Sequence, residues 1–296
     1  MAPRARGLSA DAAVAIAKLG VVGVGLMGSG IVQVAAQSGL RVVACDQSDA
    51  HNARASKGIE KQLAKLVERG KLDAGEATAA LGRIEWAVGP AALAGCDAVI
   101  EAIPEDQAAK ETLFAALDAA CAAPALLITN TSSISVTALA GRTRTAERVV
   151  GMHFFNPVPQ MRLVEVVRAL QTDDASFERA LALGRALGKE VVSVKDSIAF
   201  LVNRTFLPFV NEAIFALAEG VGTPEDIDRS IKLGLNHPMG PLELCDLIGL
   251  DTLLQVLDTM HRQFGDSKYR PCPLLRKHVE AGWLGRKSGR GFYSYR

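Results

Sequence analysis

A histidine and a glutamate occupy two apolar runs that lie close together in the chain. His153 ends the run Val149–His153, and Glu165 lies inside the run Leu163–Val167. Histidine suits removal of a hydroxyl proton near neutral pH, because its unperturbed pKa is about 6.5. Burying an unpaired carboxylate is costly, so Glu165 needs a partner, and a neighbouring strand could place it on the imidazole. The pair predicts a proton-transfer site, although a lone histidine near aromatic residues is more often structural.

A glycine-rich turn supplies a second candidate site. Gly23, Gly25 and Gly28 form Gly-x-Gly-x-x-Gly between a predicted strand and the helical stretch Ile31–Gln37. Glycines there allow a tight turn, close approach of a pyrophosphate to the backbone and close packing of the helix, whose N-terminus favours anions. The alternative is a glycine-rich turn in some other α/β fold. The pattern predicts a dinucleotide site.

Asp46 ends the next predicted strand and favours NAD as the dinucleotide. Its carboxylate can accept hydrogen bonds from both ribose hydroxyls of an adenosine. Gln47 follows it rather than an arginine, so the 2′-phosphate of NADP would meet negative charge with no adjacent cation. A solvated acid at a strand end is the alternative explanation for Asp46.

Composition excludes several classes of protein. The 296 residues include 33 basic and 32 acidic ones, so the formal charge of +1 provides no global field for nucleic acid or an anionic membrane. The five cysteines form no Cys-x-x-Cys pair, the five histidines show no metal-binding spacing, and no run of apolar residues is long enough to span a bilayer. We expect no metal and a cytoplasmic protein with reduced thiols.

The elements that must position these residues follow from the apolar pattern. Short apolar runs alternate with longer periodic segments, which is typical of a parallel sheet flanked by helices. The predicted strands are Leu19–Val22, Leu40–Cys45, Trp86–Val88, Ala98–Ile103, Leu126–Thr129, Val149–His153, Leu163–Val167 and Val191–Val194. Residues 50–82 instead predict an inserted helical hairpin, in which Gly70 closes the first arm and Asp73 with Glu76 begins the second.

The pattern changes to helices alone after Lys195. A long apolar segment from Ile198 to Glu219 predicts one helix, and Thr223 with Pro224 predicts the start of the next. The predicted fold class is therefore α/β: a Rossmann-type, mainly parallel sheet with an inserted helical hairpin, followed by an all-α C-terminal domain. The expected domains are an N-terminal extension (1–18), an NAD-binding domain (19–195) and a helical domain (196–296). A weak organelle-targeting signal near Arg4 and Arg6 stays an alternative for the extension.

Several uncommon strings, in this order, resemble the L-3-hydroxyacyl-CoA dehydrogenase family over about residues 18–296. They are Asn130-Thr131-Ser132-Ser133, His153-Phe-Phe-Asn-Pro157, Met161-Arg-Leu-Val-Glu165-Val, Lys189, Phe200-Leu-Val-Asn203-Arg204, Met239-Gly-Pro241 and Gly285-Arg-Lys-Ser-Gly289-Arg-Gly291-Phe-Tyr293. The resemblance implies an NAD-dependent enzyme that interconverts 3-hydroxyacyl-CoA and 3-ketoacyl-CoA. A free-standing chain of this type is most similar to bacterial 3-hydroxybutyryl-CoA dehydrogenases.

The resemblance also implies roles for individual residues. His153 would take the proton of the 3-hydroxyl, and Glu165 would orient and charge it, while Ser132 and Asn203 would hydrogen-bond the substrate oxygens. Ser132 could instead cap a short helix, and Asn203 could satisfy buried backbone. The expected cofactor contacts come from the glycine turn, the end of the second strand and the family's nicotinamide-ribose positions: Gly23, Gly25, Leu26, Met27, Gly28, Asp46, Glu105, Lys110 and Asn130.

Two further expectations follow from the family. Lys57, on the helical hairpin, would contact coenzyme A, although a solvated lysine is the alternative. The C-terminal domain would form a homodimer. The runner-up functions are a dehydrogenase of free 3-hydroxy acids, which uses a lysine followed four residues later by asparagine, and a non-catalytic NAD-binding protein like certain lens crystallins. Ala199 stands four residues after Lys195, and both His153 and Glu165 are present, so neither runner-up is favoured.

Overall fold

The first of two compact units is built around a single sheet. The computed structural model describes residues 16–295, which divide into one unit that ends at Asp196 and another that begins at Ser197. The predicted extension, residues 1–18, falls outside the described residues except for its last three. The strands are β1 (Lys18–Val22), β2 (Arg41–Asp46), β3 (Ile84–Val88), β4 (Ala98–Glu101), β5 (Leu126–Thr129), β6 (Val149–Phe154), β7 (Leu163–Arg168) and β8 (Glu190–Lys195).

The strand order explains where a ligand can bind. The sheet runs β3-β2-β1-β4-β5-β6-β7-β8, and every neighbouring pair is parallel except β6 with β7, which is antiparallel. The order reverses direction between β1 and β4, and open parallel sheets bind ligands in the crevice outside the carboxyl ends of the strands at such a point. β1, β4 and β5 are almost wholly buried, as strands covered on both faces should be. The predicted Rossmann-type, mainly parallel sheet is confirmed.

Six α-helices accompany the sheet among residues 16–196. They are α1 (Leu26–Gln37), α2 (Asp49–Glu68), α3 (Ala74–Leu81), α4 (Gln107–Ala120), α5 (Val136–Ala140) and α6 (Asp174–Ala186). The predicted helical hairpin is α2 and α3: Gly70 has a positive φ after the first arm, and Asp73 and Glu76 form a reciprocal capping box at the second. Ile59 and Leu63 of α2 are buried in the same apolar core as the sheet, so the hairpin is anchored along one face.

The second unit is helical, as predicted. It contains α7 (Val202–Ala218), α8 (Pro224–Gly234), α9 (Pro241–Ile248), α10 (Leu250–Phe264) and α11 (Pro273–Glu280) around its own apolar core. Thr223 caps α8 and Pro224 is its first residue, which confirms the predicted start. The predicted start of the preceding helix at Ile198 is wrong. Ala199 and Phe200 have φ values of 64° and 51°, and a right-handed helix cannot include such residues.

Candidate active site

The register of β6 and β7 brings His153 and Glu165 together. The two residues face each other across the antiparallel pair, and the imidazole Nδ1 lies 2.7 Å from Glu165 Oε2. Glu165 is fully buried and His153 is 6% exposed. A short hydrogen bond to a buried carboxylate fixes the orientation of the ring. Phe155 lies against the imidazole, with 4.5 Å between the ring centroids.

Asn130 and Ser132 lie on the turn that follows β5. Asn130 Oδ1 accepts a hydrogen bond of 2.9 Å from the backbone N–H of Phe154, which follows His153 directly. This bond ties the end of β5 to the end of β6, and so holds the serine turn beside the histidine. The helix that begins after this turn is capped by Ser135, not by Ser132, so the alternative role considered for Ser132 is wrong.

One carboxylate oxygen of Glu105 accepts hydrogen bonds from several donors of the same turn. Its Oε1 lies 2.6 Å from Thr131 Oγ1, and the N–H and hydroxyl groups of both Ser132 and Ser133 are within 2.9 to 3.3 Å. Burial alone would raise the pKa of Glu105, but the Thr131 hydroxyl and the nearby Lys110 hold it below its usual value. The carboxylate therefore stays ionised and binds the turn through charge-assisted hydrogen bonds.

Lys110 has a buried partner that the sequence reasoning missed. Its ammonium lies 2.5 Å from Glu101 Oε1 and 3.4 Å from Glu105 Oε2, and its side chain is 1% exposed. Glu101 is fully buried at the end of β4, where it also accepts a hydrogen bond from Thr129. An acid inside an apolar run was the signal that singled out Glu165, and the run Ala98–Ile103 carries that signal for Glu101.

The glycine turn between β1 and α1 fits a dinucleotide. A Cβ atom at Gly23 would lie 2.8 Å from the backbone of Ala102, and one at Gly28 would lie 1.7 Å from the carbonyl oxygen of Gly23. At Gly25 a Cβ would meet nothing within 4 Å, so its absence leaves the backbone open to an incoming group. No side chain caps the start of α1, and its first turn contains no acid. Such a helix start favours a pyrophosphate. Leu26 and Met27 are the first residues of this helix.

Asp46 ends β2 beside that turn. Its Oδ2 accepts a hydrogen bond of 2.8 Å from Val24 N–H, and its Oδ1 lies 2.7 Å from His51 Nδ1. Burial alone would raise the pKa of Asp46, but the bonds from Val24, His51 and Gln47 hold it below its usual value. Asp46 is thus a fixed anion at the edge of the cofactor turn. His51 is an additional residue of this site that the sequence reasoning did not single out.

Two predicted site residues lie on helices. Lys57 is exposed on α2, in the helical hairpin. Asn203 is partly buried in the first turn of α7, within the helical unit. Lys195, which a free-acid dehydrogenase would need on a helix, is the last residue of β8. Among residues 16–295, no group of His, Cys, Asp and Glu side chains could hold a metal ion, and no helix is long and apolar enough to cross a membrane.

Two family models match the chain almost from end to end. The 3-hydroxyacyl-CoA dehydrogenase NAD-binding domain matches residues 18–197, and the 3-hydroxyacyl-CoA dehydrogenase C-terminal domain matches residues 200–295. The chain belongs to the 3-hydroxyacyl-CoA dehydrogenase family. It carries that family's NAD-binding domain, which agrees with the open glycine turn and with the acid at the end of β2.

Individual relatives cover nearly the full length of this 3-hydroxyacyl-CoA dehydrogenase family member. A probable 3-hydroxybutyryl-CoA dehydrogenase of Bacillus subtilis is 48% identical over 280 residues, 95% of this chain and 98% of the relative. The 3-hydroxybutyryl-CoA dehydrogenase of Bradyrhizobium diazoefficiens is 49% identical over 284 residues, 96% and 97% of the two chains. The crystal structure of an (S)-3-hydroxybutyryl-CoA dehydrogenase from Ralstonia eutropha has a TM-score of 0.93 and 45% identity, and the match covers 95% of this chain and 100% of that one.

Other strings that resemble the 3-hydroxyacyl-CoA dehydrogenase family stabilise the fold within each unit. Lys189 is buried, and its Nζ donates hydrogen bonds of 2.6 and 2.8 Å to the carbonyl oxygens of Val158 and Met161. It thereby holds the loop between the strands of His153 and Glu165. In the helical unit, Asp246 accepts backbone hydrogen bonds from Phe292 and Tyr293, which anchors the C-terminal glycine-rich string to α9.

Proposed function

We propose that this chain catalyses the NAD-dependent interconversion of (S)-3-hydroxybutyryl-CoA and acetoacetyl-CoA. The buried pair of His153 and Glu165, in a chain of the 3-hydroxyacyl-CoA dehydrogenase family, is the observation that carries this proposal. The named activity of the relatives from Bacillus, Bradyrhizobium and Ralstonia supports the four-carbon substrate.

His153 acts as the general base when the alcohol is oxidised. Because Nδ1 holds the hydrogen bond to Glu165, Nε2 is the nitrogen that exchanges the proton with the 3-hydroxyl. The imidazolium that forms is stabilised by the Glu165 carboxylate, as the acid of a catalytic triad stabilises its histidine. In the direction of reduction, the same nitrogen returns the proton to the 3-oxygen. Bound NAD supplies a hydride acceptor for C3.

Residues other than His153 and Glu165 would bind and orient the substrate and the cofactor. Ser132, on the turn held beside β6, is the proposed hydrogen-bonding partner of the reacting oxygen, where a fixed donor stabilises charge as it develops. The glycine turn and the first residues of α1 would hold the pyrophosphate of NAD: Gly23, Gly25, Leu26, Met27 and Gly28. Asp46 would hold the adenosine ribose. Four further residues stay predicted on the family resemblance alone: Asn130, Glu105 and Lys110 as cofactor contacts, and Asn203 as a substrate contact.

Coenzyme A binding and assembly complete the proposal. Lys57 is the proposed contact for a phosphate group of coenzyme A, since it is an exposed cation on the hairpin helix α2. A homodimer formed through the C-terminal domain and a cytoplasmic location stay predictions.

The test is a spectrophotometric assay of NADH oxidation with 3-ketoacyl-CoA substrates of four to sixteen carbons. We expect kcat/KM to be highest for acetoacetyl-CoA and to fall with chain length, and NAD to be reduced with (S)- but not (R)-3-hydroxybutyryl-CoA. A maximum at long chains would overturn the four-carbon assignment. Absence of turnover by a protein that still binds NADH would favour the non-catalytic alternative, and turnover of free 3-hydroxybutyrate at a similar kcat/KM would favour the free-acid dehydrogenase.

A further inference from the structure

The contacts of Glu105 point to a function in addition to the cofactor contact that the family resemblance implies. All five of its short contacts through Oε1 go to the three residues 131–133. Two of the donors are the consecutive backbone N–H groups of Ser132 and Ser133, an arrangement that binds anions well. The anion in this case is a side chain of the same protein.

We propose that Glu105 is a positioning residue for Ser132: it fixes the turn 131–133 in the conformation that presents the Ser132 hydroxyl to the substrate oxygen. This inference rests on the proposed function, in which Ser132 binds that oxygen. It assigns Glu105 a part in the reaction that is exerted through the serine.

The donor distances within the cluster show which groups hold the turn and which group is available to the substrate. Thr131 Oγ1 lies 2.6 Å and Ser133 Oγ 2.9 Å from Glu105 Oε1, whereas Ser132 Oγ is the most distant donor at 3.3 Å. A carboxylate oxygen offers only about two lone-pair positions, so the donors share it and the longest contact is the weakest. The hydroxyl of Ser132 can therefore be given up to a ligand while its neighbours and the two backbone N–H groups hold the turn.

A buried lysine fixes Glu105 from the other side. Lys110 lies 3.4 Å from Oε2, and it is held in turn by Glu101 and by the carbonyl oxygen of Ile103 at 3.2 Å. The Glu105 side chain is 31% exposed, so without these contacts it could adopt several rotamers. The chain of contacts from Glu101 through Lys110 to Glu105 thus transmits the rigidity of β4 to the serine turn.

A double-mutant cycle tests the inference with NADH and acetoacetyl-CoA. In the wild-type background, Glu105→Ala should lower kcat/KM for acetoacetyl-CoA about ten-fold, because an ordered hydrogen-bonding group becomes mobile. In a Ser132→Ala background, the same substitution should lower kcat/KM by less than about two-fold, since the effects of substituting residues that act as one unit are not additive. Any change in the KM for NADH should be the same in both backgrounds, because a cofactor contact of Glu105 would not depend on the serine hydroxyl.

Two further variants control for folding and for charge. Glu105→Gln keeps an acceptor oxygen at the same place, so it should retain more activity than Glu105→Ala and would still report if the alanine variant failed to fold. Glu111→Ala removes another acid near the start of α4, one that pairs with Arg142 at 2.9 Å instead of with the serine turn. It should leave the kinetics as in the wild type.

The outcomes separate the inference from the proposed function. If Glu105→Ala lowers kcat/KM for acetoacetyl-CoA by as large a factor in the Ser132→Ala background as in the wild type, Glu105 acts independently of the serine and the inference fails. An unaltered Glu105→Ala enzyme would overturn it as well. If the wild type does not reduce acetoacetyl-CoA at all, it is the proposed function that fails.

Discussion

His153 and Glu165 are opposed residues of two antiparallel strands, and the hydrogen bond between them depends on the register of β6 and β7. Successive side chains of a strand point to opposite faces, so a shift by one residue would turn Glu165 away from the imidazole. The loop that joins the strands is held by Lys189 at two carbonyl oxygens. The sheet itself therefore sets the geometry of the proposed acid–base pair.

Replacement of the histidine should remove acid–base catalysis while leaving cofactor binding intact. We expect His153→Ala to lower kcat for acetoacetyl-CoA reduction by roughly 100-fold to 10,000-fold, which is the usual contribution of a positioned general acid or base. NADH affinity, measured by fluorescence titration, should hardly change, because the glycine turn and Asp46 are untouched. A wild-type rate in this variant would remove His153 from the mechanism.

The carboxylate should contribute through its charge. Glu165→Gln keeps the size of the side chain and one acceptor oxygen, but a neutral amide stabilises the imidazolium poorly. We expect kcat to fall in this variant as well, with the KM for NADH unchanged. Circular dichroism serves as the control for folding, because Glu165 is fully buried. A folded Glu165→Gln protein with full activity would show that the charge is dispensable.

The core of the sheet could be predicted because each strand is a short apolar run with its own boundaries. The pairing of Glu165 with His153 could also be predicted, since a carboxylate in such an apolar run needs a partner. The partner of Lys110 was missed although Glu101 gives the same signal. Side-chain pairing between β4 and α4 depends on how the helix packs, which no local pattern encodes.

The start of α7 shows where apolar periodicity fails. The segment from Ile198 is apolar throughout, so its pattern does not distinguish a helix from a buried turn. Left-handed backbone at Ala199 and Phe200 delays the helix to Val202, and neither is a glycine that would have marked the turn. His51 was missed for a related reason: its contact with Asp46 joins a strand end to the first turn of the next helix.

Asp46 should determine the choice of cofactor. As an ionised acceptor it should favour NADH by about 1.5 to 3 kcal/mol, the usual range for a hydrogen bond to a charged group, and it should repel a 2′-phosphate. We expect kcat/KM with NADH to exceed clearly that with NADPH. Asp46→Ala should lower the ratio of these two values, chiefly by raising the KM for NADH. Initial rates with both cofactors measure the ratio.

His51→Gln is the matched control for that experiment. The variant keeps a polar side chain near Asp46 but leaves the carboxylate with its two backbone hydrogen bonds, from Val24 and Gln47. The preference for NADH should therefore persist in His51→Gln. Equal use of NADH and NADPH by the wild type would contradict the role assigned to Asp46.

Lys57 should contribute to binding but not to chemistry. A partly exposed ion pair with a phosphate is worth about 1 kcal/mol or less and weakens with salt, so Lys57→Ala should raise the KM for acetoacetyl-CoA several-fold. kcat and the KM for NADH should stay nearly unchanged, since binding is lost uniformly. An acyl-pantetheine analogue, which lacks the nucleotide phosphates, should be insensitive to the substitution.

Lys65→Ala gives the corresponding control on the same helix. Lys65 is also exposed, about 12 Å further along the axis of α2, and its replacement should leave every kinetic constant as in the wild type. If Lys57→Ala impaired the pantetheine analogue as much as acetoacetyl-CoA, or impaired neither, the phosphate contact would have to belong to another basic residue.

The buried ion pair of Asp118 and Arg148 should make stability depend on acid pH. Burial alone would raise the pKa of Asp118, but hydrogen bonds from Arg148, Thr145 and Arg144 hold it far below its usual value. A depressed carboxyl pKa contributes stability that is fully present above the unfolded-state pKa of about 3.9 and is lost as the pH falls toward the folded-state value. Wild-type stability should thus decline as the pH falls below about 4.

Substitution of the same acid should remove that dependence. The two side chains are 3% and 5% exposed, so Asp118→Asn leaves Arg148 buried without its counter-charge, which should cost about 3 to 5 kcal/mol in the free energy of unfolding at pH 7. Urea unfolding of both proteins between pH 7 and pH 3 should show that the difference in their free energies of unfolding becomes smaller as the pH falls. Glu190→Gln, which breaks a largely exposed pair with Arg162, should cost less than about 1 kcal/mol at any pH. A constant difference between wild type and Asp118→Asn across this range would show that the carboxylate stabilises the fold by packing and not by charge.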